Sequence, residues 1–153
     1  MSFQTYIKNI FLTDDDSDDC MLFSEALQEL FPDEKANLTI TNDGVKLMQA
    51  LKEMVPPAPQ VIFLDLNMPR KNGFECIAEI RNTPKYKNIP IIIFSTSSNN
   101  DIVDKTYAHG ANYYICKPQS YPLLKKTIAF VLSFDLKKLS QQPLRDKFVI
   151  NMA

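Results

Sequence analysis

The sequence has few of the residues that build disulfide frameworks, zinc sites or histidine-based catalytic sites. Its three cysteines, Cys20, Cys76 and Cys116, are isolated and form no C-x-x-C pair. Their spacing indicates neither a zinc site nor a disulfide framework, and we expect three small core residues. His109 is the only histidine, which disfavours histidine-based triads and most histidine metal sites. Any site in this chain should therefore be built mainly from carboxylates.

The sequence also lacks a strong charge of either sign and a long apolar run. Its net charge of −1 gives no electrostatic reason to expect binding to nucleic acid or to a membrane surface. No basic region followed by an apolar segment opens the sequence, and no apolar run approaches membrane-spanning length. We therefore expect a cytoplasmic protein. Its 153 residues suffice for one domain with a substantial core.

Apolar strands and amphipathic helices alternate five times along the chain, with short connections. The predicted strands cover residues 7–13, 38–41, 61–64, 91–94 and 113–116. The predicted helices run from Ser17 as N-cap to before Pro32, from Val45 to about Met54, from Gly73 to about Arg81, from about Asn99 to His109 and from about Tyr121 to Phe134. Helix 2 should bury Val45, Met48 and Leu51, and Gly110 should be a left-handed C-cap. This alternation predicts right-handed crossovers around a parallel sheet with helices on both faces.

Polar residues follow four of the five predicted strands directly. Asp14 and Asp15 follow the first strand, Asp65 the third, Ser95 the fourth and Lys117 the fifth. Each alone has an ordinary explanation, such as a helix cap, a loop hydroxyl or a surface charge. The carboxyl ends of parallel strands lie at one edge of a sheet, where α/β folds bind their ligands, so we expect these side chains to converge.

The chemistry of this set favours a metal and a phosphoryl group. Clustered carboxylates repel one another unless a cation neutralises them. Oxygen ligands suit a hard divalent ion, and an incomplete protein shell favours Mg²⁺. A hydroxyl and an ammonium can hold the other oxygens of a phosphoryl group. A metal-held aspartate beside those donors could attack phosphorus and form an acyl phosphate.

Four motifs, L-T-D-D-D, D-L-N-M-P-R-K-N-G, F-S-T-S and K-P, make residues 7–134 resemble a response-regulator receiver domain of two-component signalling. The resemblance implies a (βα)5 flavodoxin-like fold, a doubly wound parallel five-stranded sheet with strand order 2-1-3-4-5. It implies that Asp65 accepts a phosphoryl group from a sensor histidine kinase. It also implies that Mg²⁺ is held by Asp14, Asp15, Asp65 and the backbone carbonyl of Asn67, although Asp16 leaves the acidic pair ambiguous by one residue.

The same resemblance assigns roles on the last two strands. It implies that Ser95 is the family's hydroxyl residue, that Lys117 binds the phosphoryl group, and that Tyr114 is the aromatic switch residue. The loop at 82–88 and the F-S-T-S-S-N-N-D segment look most like the stand-alone regulators that accompany phytochrome-type kinases.

Three functions remain open at this point. The leading one is a single-domain response regulator, in which phosphorylation changes the conformation and thereby the contacts with an unknown downstream protein. Its alternative is a phosphate shuttle in a multistep phosphorelay. The second is a Mg²⁺-dependent phosphohydrolase, which Asn67 disfavours because such enzymes commonly need an acid at that position. The third is a receiver-like module that binds a partner without phosphorylation. We expect no enzyme activity beyond self-phosphorylation and slow self-dephosphorylation.

The predicted domain organisation is a receiver domain over residues 1–134 and a tail over 135–153 without an output domain. The tail is too short for a helix-turn-helix unit. Its run Phe148-Val149-Ile150 is β-prone, so we expect it to dock on its own domain or on a second chain, and the second alternative would give a homodimer. The alternative is a frayed terminus.

Overall fold

The computed structural model describes residues 7–33, 36–53 and 58–152. The strands are β1 (Asn9–Thr13), β2 (Asn37–Thr41), β3 (Val61–Leu64), β4 (Ile91–Ser95), β5 (Tyr113–Cys116) and β6 (Val149–Ile150). The helices are α1 (Ser17–Leu30), α2 (Gly44–Glu53), α3 (Gly73–Arg81), α4 (Asn100–Ala108), α5 (Tyr121–Leu132) and α6 (Leu136–Ser140), and Arg145–Lys147 forms a 3-10 turn. The predicted end of helix 2 at Met54 lies outside the described residues.

The described strands form one parallel sheet in the order β2-β1-β3-β4-β5-β6. The first five strands have the predicted order, and β2 is the edge strand that its alternating polarity indicated. The sixth strand was not predicted as part of the sheet, and it pairs with β5 in parallel. Since all strands run the same way, their carboxyl ends lie along one edge of the sheet.

Helices cover both faces of the sheet. On one face, α1 and α5 pack over the central strands, and Phe23 of α1 meets Phe63 of β3 with 5.0 Å between ring centroids. On the other face lie α2, α3 and α4, with Leu47, Ile77 and Val103 in the core. Every residue of β3 and β4 is buried, which explains why these strands are uninterrupted apolar runs in the sequence.

The start of α1 differs from the prediction by one residue. Ser17 is not the N-cap but the first helical residue, and Asp16 is the cap. The Asp16 backbone is extended, and its side chain accepts hydrogen bonds from the backbone N–H groups of Asp18 and Asp19 at 2.9 and 3.1 Å. Both residues are good caps, so the backbone conformation decides between them.

Two predicted core residues are exposed. Val45 is 44% exposed, because α2 turns Leu47, Met48 and Leu51 toward the core instead. Cys116 is exposed because it is the last residue of β5, where the strand leaves the core. Cys20 and Cys76 are buried, as predicted.

The described part of the tail docks on its own domain. Leu139 of α6 and Phe148 are fully buried. The Phe148 carbonyl accepts a hydrogen bond from the Tyr114 backbone N–H at 3.1 Å. The described tail is therefore docked on the domain, as one prediction expected, and is not a frayed terminus. Among the described helices, none is long and apolar enough to cross a membrane.

Candidate functional site

Three carboxylates that we predicted to converge lie together at the edge formed by the carboxyl ends of the strands. Asp14 and Asp15 follow β1, and Asp65 follows the neighbouring β3. One carboxylate oxygen from each lies within 4.8 Å of the others. Asp14 and Asp65 are buried, whereas Asp15 is exposed. The site is therefore a cluster of acids whose outer member faces solvent.

Asp65 is held by the loop that follows β3. Its backbone N–H donates to the Thr13 carbonyl at 2.9 Å, and its Oδ1 accepts a hydrogen bond from the Leu66 N–H at 2.8 Å. Gly73 closes this loop through a 2.9 Å bond from its N–H to the Leu66 carbonyl. A Cβ at Gly73 would lie 2.5 Å from the Asp65 carbonyl oxygen, so this close approach requires glycine. Asn67 lies further along the loop and is exposed.

Asp14 and Asp16 have different tasks. Asp14 Oδ1 accepts a hydrogen bond from the Asp16 N–H at 3.0 Å. Asp14 Oδ2 is buried and pairs with the ammonium of Lys117, which is described below. The Asp16 carboxylate caps α1, so the acidic cluster contains Asp14 and Asp15 rather than Asp16.

The electrostatics of the cluster favour a positive charge. Burial, together with the charge of Asp14, raises the pKa of Asp65 to about 7. Burial also raises the pKa of Asp14, although Lys117 opposes this effect. Three carboxylate oxygens that lie within 4.8 Å of one another, two of them on buried residues, fit a hard divalent cation. The residues present therefore suit such an ion.

Lys117 reaches the cluster from the end of β5. Its Nζ lies 2.7 Å from Asp14 Oδ2, 2.8 Å from Asp19 Oδ2 and 3.8 Å from Asp65 Oδ2. Burial alone would lower the pKa of Lys117, but the carboxylates of Asp14 and Asp19 outweigh burial and raise it. The sequence did not identify Asp19 as part of the site. The only signal was its position in the first turn of α1, which begins at this same edge.

Ser95 and Tyr114 lie on the adjacent strands β4 and β5, and both are buried. The Ser95 hydroxyl oxygen accepts a hydrogen bond from the Ser97 N–H at 3.2 Å. The Tyr114 hydroxyl donates to the Ser97 carbonyl at 2.7 Å, so Ser97 connects the two residues. The Tyr114 ring also faces Phe148 of the tail, with 6.2 Å between centroids. The structure thus has Tyr114 in an inward orientation.

This arrangement can be compared with known proteins. Residues 10–129 match the family described as the response regulator receiver domain. The chain belongs to this family. Its members accept a phosphoryl group on an aspartate and act in signalling, and the match agrees with the resemblance that the four motifs carry.

Individual relatives of this receiver domain include phytochrome response regulators. Response regulator Rcp1 from Synechocystis sp. (strain ATCC 27184 / PCC 6803 / Kazusa) is 34% identical over 137 residues, which cover 87% of this chain and 92% of Rcp1. The Mn²⁺-bound form of Rcp1 has a TM-score of 0.72 at 32% identity and covers 88% of this chain and 99% of that one. The phosphorylated cyanobacterial phytochrome response regulator RcpA also has a TM-score of 0.72 at 32% identity, with 82% and 91% covered.

Proposed function

We propose that this receiver domain accepts a phosphoryl group on Asp65 from the phosphohistidine of a sensor histidine kinase. The observation that carries the proposal is that Asp65 lies with Asp14, Asp15 and Lys117 at one edge of the sheet. Burying an acid among other acids costs folding free energy, so such residues are commonly functional. Asp65 lies beside a lysine and within a carboxylate cluster that suits a cation.

The geometry supports Oδ2 of Asp65 as the attacking atom. Oδ1 is engaged by the Leu66 N–H, whereas Oδ2 points toward Lys117 Nζ at 3.8 Å. Oδ2 would attack phosphorus and form a P–O bond. The P–N bond of the phosphohistidine would break, and its electron pair would return to the imidazole. Ser95 ends β4 and Lys117 directly follows the neighbouring β5, so the hydroxyl and the ammonium would donate hydrogen bonds to phosphoryl oxygens.

We propose that Asp14, Asp15, Asp65 and the backbone carbonyl of Asn67 hold Mg²⁺ for this reaction. Mg²⁺ would neutralise the charge that gathers as a phosphoryl group enters an acidic pocket. The Mn²⁺-bound form of Rcp1, a structural relative, supports a divalent ion. Asp14 and Asp15 would hold the ion beside Asp65, whose Oδ1 is held by the Leu66 N–H.

The output of this module would be a phosphorylation-dependent change in contacts with a downstream protein. A phosphoryl group adds charge and acceptor oxygens. Ser95 would move toward the phosphoryl group to donate a hydrogen bond. The contacts from Ser95 through Ser97 to Tyr114 and Phe148 offer a physical route to the tail. Ser95→Ala should therefore keep phosphorylation at Asp65 but uncouple it from partner binding at equal phosphoryl occupancy.

Self-dephosphorylation should be slow. Asn67 and Ser97 lie two residues after Asp65 and Ser95, and neither side chain is a carboxylate that can act as a base toward water. We expect the acyl phosphate to outlast seconds at neutral pH in a chase without phosphodonor. A half-life of only seconds would contradict this assignment and favour a hydrolytic role.

The test of the acceptor is labelling with acetyl phosphate and Mg²⁺, followed by intact-mass measurement. We expect one phosphoryl group per chain on the wild type and none on Asp65→Asn. The control is Asp43→Asn, because Asp43 is also a buried acid at this edge but caps α2 through the Lys46 N–H. Labelling of Asp65→Asn at the wild-type level would overturn the proposal. Turnover without a stable adduct would indicate a phosphohydrolase, and no reaction would indicate binding without phosphorylation.

Cytoplasmic location and a possible homodimer stay predictions. The described tail docks on its own chain, so β6 would bring two chains together only through its outer edge or by exchange. Sedimentation equilibrium of the full chain against a chain that ends at Phe134 tests this, and identical association states would exclude a tail-dependent dimer.

A further inference from the structure

One contact of the site is explained neither by the receiver motifs nor by the proposed transfer reaction. Lys117 Nζ donates a 2.8 Å hydrogen bond to Asp19 Oδ2, which is a full ångström shorter than its 3.8 Å distance from Asp65 Oδ2. Among the described residues, the carboxylates near this ammonium are those of Asp14, Asp19 and Asp65. The ammonium is therefore held on the α1 side of the acceptor.

We propose that Asp19 is a positioning residue that retains the Lys117 ammonium and so weakens the phosphoryl-bearing state of Asp65. The inference rests on the proposed function, because it concerns how the phosphorylated form is stabilised. Asp19 does not touch the reacting atoms. It competes with the phosphoryl oxygens for one of the three donors of the ammonium.

The exposure of the Asp14 and Asp19 carboxylates identifies Asp19 as the one that can release the Lys117 ammonium. The Asp14 side chain is fully buried, so water cannot replace the ammonium there. The Asp19 side chain is 31% exposed, so water can replace the ammonium there. Lys117 itself is only 10% exposed, so it exchanges one carboxylate partner for a phosphoryl group rather than for bulk water.

The helix fixes Asp19 in this position. Asp19 lies in the first turn of α1, where its N–H donates to Asp16 Oδ1 at 3.1 Å. The next residue, Cys20, donates its N–H to the Asp16 carbonyl at 3.1 Å. This capped turn does not depend on the Asp19 side chain. Asp19→Asn should therefore keep the fold and change mainly the charge that Lys117 contacts.

The test uses beryllofluoride, a phosphoryl mimic, titrated into the full chain at saturating Mg²⁺ and followed by fluorine NMR. Removing a partly exposed ion pair should tighten the apparent affinity by about fivefold in Asp19→Asn. Asp18→Asn is the matched control, because it removes the same charge from an exposed position in the same turn. We expect its affinity to equal that of the wild type.

Asp19→Glu provides the second comparison, since it keeps a carboxylate that can reach Lys117 and should return the affinity toward wild type. A merely structural role would change the thermal midpoint but would not give this pattern of rescue. Equal affinities of Asp19→Asn and Asp18→Asn, or weaker binding by Asp19→Asn, would overturn the inference. Failure of the wild type to bind the mimic would instead overturn the proposed function, and with it this inference.

Discussion

Phe148 offers the sharpest test of how the tail is attached. Its side chain is fully buried, although it lies outside the part of the chain that matches the receiver family. Its ring packs edge-on against Tyr107 of α4, with 5.0 Å between centroids, and tilted against Tyr114 of β5 at 6.2 Å. We predict that Phe148→Ala detaches the tail from both residues.

The expected magnitude follows from burial. Replacing a fully buried phenylalanine by alanine costs about 3 to 5 kcal/mol, which contains the lost transfer free energy and the cavity. We expect the lower value, about 3 kcal/mol, because the short β6 strand can peel away and relieve the cavity. The free energy of unfolding, measured by urea denaturation with circular dichroism, should fall by this amount.

Leu144→Ala is the matched control within the same tail. Leu144 is 76% exposed, so its truncation should change the free energy of unfolding by less than about 0.5 kcal/mol. Hydrogen exchange adds a local measurement, because the Tyr114 N–H donates to the Phe148 carbonyl and should lose protection only in Phe148→Ala. A loss below about 1 kcal/mol with Tyr114 still protected would refute the docking that is described above.

The remaining predictions concern the site and its output. Asp15→Ala should weaken Mg²⁺ binding in a calorimetric titration, because one carboxylate of the cluster is lost, and an unchanged titration would count against Asp15 as a ligand. Gly73→Ala should slow labelling by acetyl phosphate, because its Cβ would lie 2.5 Å from the Asp65 carbonyl and displace the loop. Gly110→Ala, at φ 102, should cost about 1 kcal/mol of stability but leave the labelling rate unchanged. Tyr114→Ala should be phosphorylated normally but fail to gain partner affinity at equal occupancy, whereas a wild-type gain would require another route for the signal.

Much of the fold was predictable because its signals are local. Strands β3 and β4 are buried on both faces, and such strands appear in the sequence as unbroken apolar runs. Gly110 has φ 102, the left-handed conformation that its position after a helix predicted. The convergence of these side chains was predictable for a related reason: parallel strands bring their carboxyl ends to one edge, so side chains distant in sequence can be grouped by their place at strand ends.

The features that sequence reasoning missed depend on tertiary contacts. Asp19 and Lys117 are 98 residues apart, and only the tertiary fold brings the first turn of α1 and the residue after β5 together. The choice of Asp16 over Ser17 as N-cap depends on one extended backbone residue rather than on residue type. β6 has only two residues, so its membership of the sheet could not be recognised from its length or period.

The tail also changes how the predicted aromatic switch must work. A Tyr114 ring that moved outward would have to pass the surface that the tail covers. The tail is held there by more than Phe148: the Tyr107 hydroxyl donates to the Pro143 carbonyl at 2.7 Å, and Arg145 Nε pairs with Asp104 at 2.7 Å. Because Tyr107 and Asp104 belong to α4, the tail bridges α4 and β5 beside Tyr114, the predicted switch residue. Any motion of Tyr114 therefore changes its packing against the chain's own tail before it changes contact with a partner. The binding free energy of a partner on the face formed by α4 and β5 must then include the free energy of moving the tail.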